Sequence, residues 1–238
     1  LASITLTHLG VPGDIALSIT DVVLSTADGY VIPSEASATP VTLTLSPAVL
    51  NITEVPNVGY CDLASAVLAA NPNDVLQLQA NITIPTTVSI NKSLTLDLNG
   101  KTATYTTTDL SYALTVDAGG ALTIDDTSIA KTGLISVLDG DADTNTDGRG
   151  IGVISGSLTL KAGTIQAPYA GVYVRPGASM VMDGGTIGGT VDPLYGIAIL
   201  GTGSSLDING GTIESTYFAV SGNGAAGFGD TTITIDGG

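Results

Sequence analysis

The chain has one cysteine, one histidine, two phenylalanines, two methionines and no tryptophan in 238 residues, and each scarcity excludes something. Cys61 has no second cysteine to pair with, so the fold must be stable without an internal disulfide. His8 alone excludes a multi-histidine metal centre and weighs against a histidine-based catalytic triad. Bases are scarce too. Lys92, Lys101, Lys131, Lys161, Arg149 and Arg175 face 22 acids, which leaves a net charge of −16. Such a surface repels phosphate backbones and anionic lipid, so no nucleic-acid partner is expected. Nor is membrane insertion expected, because no run of about 18 apolar residues occurs.

What is abundant is Val, Ile, Leu and Ala alternating with Thr and Ser, punctuated by 31 glycines. β-Branched residues at a period of two, bounded by turn formers, define an all-β chain. The chain neither begins with Met nor shows a signal peptide, and reads as a mature or trimmed piece of something longer.

Residues 1–50 hold three short alternating stretches, Ser3–Thr7, Ile15–Ile19 and Val41–Leu45, separated by Gly10, Pro12-Gly13, Asp28-Gly29 and Pro33. The run VPGDIALSITDVVLSTADGYVIP resembles the closing strands of cohesin-like β-sandwich modules, a strand leading through an acidic glycine turn into the last strand. The resemblance implies a partial sandwich of about three strands, whose missing strands come from a neighbour or from the rest of the protein. Residues 51–60, with Pro56 and Gly59, read as a linker. Residues 62–70 then predict a helix: Asp62 suits the N-cap, Leu63 and Val67 share a face, and Asn71-Pro72 stops it. The open end of a stack of strands needs cover, and this helix stands where a cap belongs.

From residue 75 the chain repeats itself. Strand pairs recur as Thr87–Ile90 with Leu94–Leu98, Tyr112–Val116 with Leu122–Ile124, and Ile151–Ile154 with Leu158–Leu160. They continue as Val172–Val174 with Met180–Met182, Ile197–Ile199 with Leu206–Ile208, and Ala219-Val220 with Ile233–Ile235. With Leu98, Ile124, Leu160, Met182, Ile208 and Ile235 as markers, the six coils lie 26, 36, 22, 26 and 27 residues apart. Ile165, Ile187 and Ile213 are expected to point inward, Thr164, Thr186 and Thr212 outward, with the neighbouring glycine pairs turning the chain at positive φ. The capping helix, the stretch NDVLQLQANITIPTTVSINKSLTLDLNGKT, GGALTIDD and the recurring GGTI resemble the right-handed parallel β-helix (β-solenoid) domains of bacterial cell-surface proteins, within the pectate-lyase-like superfamily. The resemblance covers residues 61–238 and implies an extracellular or cell-surface location. It specifies fold far better than function, because such rungs carry lyases, hydrolases, adhesins and spacers alike.

Four groups of residues are candidates for chemistry. Before each turn stands a polar column, Asn99, Asp125, Lys161, Asp183, Asn209 and Asp236, which offers carboxylates on neighbouring coils; turn chemistry explains it equally and is favoured. Asp139, Asp141, Asp143, Asn145 and Asp147 place oxygen ligands on alternate residues before Gly148, a calcium-loop pattern, although the twelfth position from Asp143 is Ile154 rather than the bidentate Glu. Solvated acidic turn and Ca²⁺ site are both open. Tyr169, Tyr195 and Tyr217 fall near one corner of successive coils, either as the solenoid's own aromatic stack or as a sugar-stacking platform. Asn51, Asn81 and Asn91 each begin an N-glycosylation sequon.

These observations favour a non-catalytic structural or adhesive module of a cell-surface protein or surface filament, with neighbouring subunits or modules of the same protein as partners. A carbohydrate-binding module that takes cell-surface glycans is the alternative, and a polysaccharide lyase or glycoside hydrolase the weaker third.

Overall fold

A computed structural model describes strand segments 14–17, 24–25, 31–32 and 41–44, and residues 46–141, 147–190, 193–222 and 229–238. In the N-terminal region β1 (Asp14–Leu17) pairs antiparallel with β4 (Val41–Thr44), and β2 (Leu24–Ser25) with β3 (Val31–Ile32). Two of the three expected strands lie in β1 and β4; Ser3–Thr7 and His8 lie outside the described residues.

The stretch read as a linker is part of a hairpin. Strand β5 (Val49–Asn51) pairs antiparallel with β6 (Val58–Tyr60) and with the first strand of the repeat region, so its backbone groups are satisfied on both sides. Helix α1 (Leu63–Ala69) follows, its first turn closed by Asp62, whose carboxylate accepts from the Ser65 amide at 2.7 Å and the Ser65 hydroxyl at 2.9 Å. At its other end Lys92 Nζ donates to the carbonyls of Val67, Leu68 and Ala70 at 3.1, 3.2 and 2.8 Å, neutralising exposed acceptors and tying the helix to the first coil. Leu63, Ala66 and Val67 are buried in the same core as the coils that follow.

Three strands, rather than the expected pair, make each coil. The first coil is β7 (Asp74–Leu78), β8 (Ile82–Ile84) and β9 (Val88–Ile90), and the second β10 (Ser93–Asp97), β11 (Thr102–Thr107) and β12 (Tyr112–Val116). The third is β13 (Ala121–Asp125), β14 (Leu134–Asp139) and β15 (Arg149–Val153), and the fourth β16 (Ser157–Leu160), β17 (Thr164–Gln166) and β18 (Ala170–Val174). The fifth is β19 (Ser179–Met182), β20 (Thr186–Ile187) and β21 (Tyr195–Ile199), and the sixth β22 (Ser205–Ile208), β23 (Thr212–Ile213) and β24 (Phe218–Gly222). Strand β25 (Thr232–Ile235) opens a seventh.

First strands stack in parallel as sheet I, continued by β5 and β6; second strands form sheet II and third strands sheet III. The fold is thus an all-β parallel solenoid. Alternation places one face of every strand inside. Leu76, Leu96, Ile124, Leu160, Met182 and Ile208 form one buried column of sheet I, and Ile135, Ile165 and Ile187 one of sheet II. Thr164, Thr186 and Thr212 face outward as expected, while Ile213, on the last strand of sheet II, is only partly buried. Each fully buried Ile or Leu contributes roughly 1.5–3 kcal/mol by leaving water, so these columns hold the coils together without a disulfide.

The glycine pairs of the turn from sheet I to sheet II have two separate reasons. Gly185 and Gly211 adopt φ of +75° and +96°, which only glycine takes without strain. Gly184 and Gly210 face the coil below: a Cβ there would stand 2.5 Å from the Lys161 carbonyl oxygen and 2.7 Å from that of Asp183.

Candidate functional site

The long excursion between β14 and β15 brings three of the five expected cation ligands together. Asp139, Asp141 and Asp147 each direct one carboxylate oxygen so that all lie within 4.8 Å of one another, and Asp147 is buried. Backbone amides organise the group: those of Asp141 and Asp147 each donate to Asp139, both at 3.3 Å. Oxygen-only donors suit a hard cation such as Ca²⁺. Asp143 and Asn145 lie outside the described residues. On the coil below, Thr107 stands opposite Asp139 and donates to Asp109 at 2.8 Å. Hydrogen bonds from Ser111 and then Thr107 hold the Asp109 carboxyl below the usual carboxylate range.

The register corrects the polar column. Leu96, not Leu98, lies level with Ile124, so Asp97 rather than Asn99 faces Asp125. Asn99 instead takes the turn at φ +47° and donates to the Leu78 carbonyl at 2.9 Å. The carboxylates here act on their own chain. Buried Asp97 accepts from Gln77 Nε2 at 2.8 Å, the Thr127 hydroxyl at 2.6 Å and the Thr127 and Asn99 amides at 2.9 and 3.0 Å. Asp183 accepts from Asn209 Nδ2 at 2.9 Å.

Asp126, which the sequence reading passed over, is fully buried and collects amides from two coils: Gly100 at 2.8 Å, Ser128 at 3.1 Å and Gly133 at 2.6 Å. Burial pushes its carboxyl up, but the hydrogen bonds from Ser128, Gly133 and Gly100 outweigh that and hold it below the ordinary range.

At the aromatic corner, Tyr169 and Tyr195 pack with ring centroids 5.5 Å apart at 57°. The next ring in the series is Phe218, not Tyr217: it lies opposite Tyr195 in the register and stacks on it at 6.2 Å and 9°. Tyr217 is 65% exposed, one residue out of line. Sequence reasoning also missed Arg149, whose guanidinium lies over the rings of Tyr112, Tyr169 and Tyr173 at 5.2, 4.9 and 4.8 Å and donates to the Leu110 carbonyl at 2.7 Å. Arg175 covers Tyr173 at 5.5 Å. Burial raises the Tyr173 phenol above its usual value, and the charge of Arg149 opposes the rise. The only sequence signal for this cage is the alignment of Arg149 with Tyr112 across one coil, which requires the register.

Of the three sequons, Asn51 is wholly buried, its Nδ2 donating to Asp74 at 2.6 Å, so its amide is closed to modification in the folded chain. Asn81 and Asn91 are exposed. Cys61 is exposed. No helix among the described residues is long and apolar enough to cross a membrane. No protein-family model, curated protein or solved structure matches the chain.

Proposed function

We propose that the chain is a non-catalytic structural module of an extracellular or cell-surface assembly, a right-handed β-helix of the pectate-lyase-like kind that serves as a stiff unit between neighbouring subunits or modules. The observation that carries this reading is the uninterrupted register of sheet I from β7 to β25, with one apolar column buried beneath it from β7 to β22. A rung cannot tilt without opening its neighbours, which makes a stack of this kind rigid along its axis. Helix α1 and the β5–β6 hairpin act as its cap, the hairpin crossing the end of sheet I antiparallel and leaving no room there for another parallel coil. The strand pairs of residues 1–45 belong to a cohesin-like sandwich completed by another module or subunit.

Against a sugar platform at the tyrosine corner stands the occupation of its rings: Tyr169 is engaged by Arg149 and Tyr195, and Tyr195 by Phe218. Against the polar column as a catalytic row stand the hydrogen bonds its carboxylates accept from their own chain. Electron microscopy of native material, with light scattering on the same sample, tests the reading. Regular fibres or arrays support it. A monodisperse monomer that binds an immobilised glycan, or that cleaves a member of a polysaccharide panel, replaces it with the binding or enzymatic alternative.

A further inference from the structure

Seven levels of sheet I, at about 4.8 Å per step, span only roughly 30 Å. A structural element of useful length therefore needs repetition, and the surface of sheet III differs from the others in a way that bears on how copies meet. Its outer side gathers both arginines of the chain with Tyr112, Tyr173, Tyr195 and Phe218. Tyrosine, phenylalanine and arginine are the residues enriched in the centres of protein interfaces, where lysine and acids are depleted. Arg149 spends one donor on a backbone carbonyl, its Nε is buried without a partner, and neither arginine is ion-paired among the described residues. In a chain of 22 acids, Arg175 is exposed and engaged only by the Tyr173 ring, so its guanidinium is available to a carboxylate brought from outside, while Arg149 orders the tyrosines beside it.

Deepening the assembly reading above, and resting on it, we infer that the arginine–tyrosine face of sheet III docks the acidic edge of a second copy of this chain, the exposed Asp183 and Asp236 with the half-exposed Asp207 of sheet I. Charge complementarity selects this occupant: the chain's own surface is strongly anionic, and Asp183, Asp207 and Asp236 lie on successive coils, with Asp207 flanked in its own row by Val181 and Thr234. Net repulsion between two copies of charge −16 does not forbid the contact, because the screening length is about 8 Å at physiological salt and distant acids scarcely feel each other. The two faces are different patches of one molecule, so the contact is heterologous, leaves a free face and a free edge on every pair, and gives a ring only where the rotation between copies closes. Repetition of it otherwise yields an open strand rather than a dimer.

Sedimentation velocity over a concentration series tests this with four samples: the wild-type chain, Arg175→Glu, Asp183→Lys/Asp236→Lys, and an equimolar mixture of the two variants. Arg175, Asp183 and Asp236 are all exposed, so circular dichroism is expected to be unchanged in each. The wild type is expected to associate, less so at high salt, and each variant alone at least about tenfold more weakly, as removal of an interface arginine commonly does. The mixture is expected to recover association, since the reversed face of one variant complements the reversed edge of the other. Association by Arg175→Glu at the wild-type level, or no recovery in the mixture, overturns the inferred surface; fibres that persist in Arg175→Glu do so while leaving the assembly reading intact. A wild-type chain that remains monomeric at every concentration overturns both.

Discussion

The γ2 methyl of Ile187 lies 2.2 Å from the point where a Cβ on Gly171 would stand. The same relationship holds one coil earlier between Ile165 and Gly150, at 2.6 Å, and one coil later between Ile213 and Gly196, at 2.3 Å. The isoleucine column of sheet II therefore fits into a glycine column of sheet III, and the two faces close on each other because one side has no side chain. Gly171→Ala is expected to cost about 1–3 kcal/mol, the usual penalty of forcing a methyl into a packed core. Ile187→Ala in the same chain is expected to give back part of the loss. Denaturant melts of the single and double variants measure both effects.

Asp126 is the acceptor on which the turn from β13 to β14 depends, and its bond from the Gly100 amide ties that turn to the second coil. Its folded pKa lies below that of an unfolded aspartate, about 3.9. Its stabilisation is therefore complete above that value and is lost as pH falls through the folded one. Acid titration of the melting temperature is expected to show a fall beginning below about pH 4, with a flatter acid limb in Asp126→Asn. Asp126→Ala, which leaves the amides of Gly100, Ser128 and Gly133 without this acceptor, is expected to cost about 1–3 kcal/mol at neutral pH.

Arg149 is expected to behave as a packing residue with an electrostatic signature. Arg149→Met keeps much of the stem and removes the charge, so the loss is that of the ring contacts, about 1–2 kcal/mol. The phenol of Tyr173 should then titrate at still higher pH, because the cation that opposed its rise is gone. Ultraviolet phenolate titration of the two chains decides this; an unchanged Tyr173 would mean that Arg149 is not held over its ring in solution.

The cation reading of Asp139, Asp141 and Asp147 predicts that Ca²⁺ added to chelator-treated protein raises the melting temperature, by an amount equivalent to about 2.7 kcal/mol at a hundredfold excess over Kd. Asp147→Asn should abolish the rise. Calorimetry without heat and a melting temperature unmoved by millimolar Ca²⁺ would make the cluster a solvated acidic turn.

Much of the solenoid was legible because burial in a stack of strands forces strict alternation. Leu94, Leu96, Leu122 and Ile124 announce sheet I, and Ile197 and Ile199 sheet III, from sequence alone. Sheet II showed only as the inward column Ile165, Ile187 and Ile213 and not as a third strand of every coil, because β20 and β23 are two residues long and β11 is written largely in threonine. Misplacing the marker at Leu98 followed from the same physics. Leu98 is as buried as Leu96, and only backbone pairing distinguishes a residue inside a rung from one beyond its end. The aromatic cage was less legible still, since Tyr112, Arg149, Tyr169 and Tyr173 come from three coils separated by insertions of unequal length. Phe218 replaces Tyr217 in the stack because a one-residue shift turns a strand side chain away from the column.

Stiffness is the property on which the structural reading rests, and native-state hydrogen exchange measures it directly. The account predicts that the paired amides of all three sheets, from β7 to β22, exchange slowly and with a common opening free energy, because each coil is locked by those above and below it. Fast exchange in any coil between β10 and β19, with protection surviving on both sides of it, would show that the stack opens locally and would contradict its role as a rigid unit.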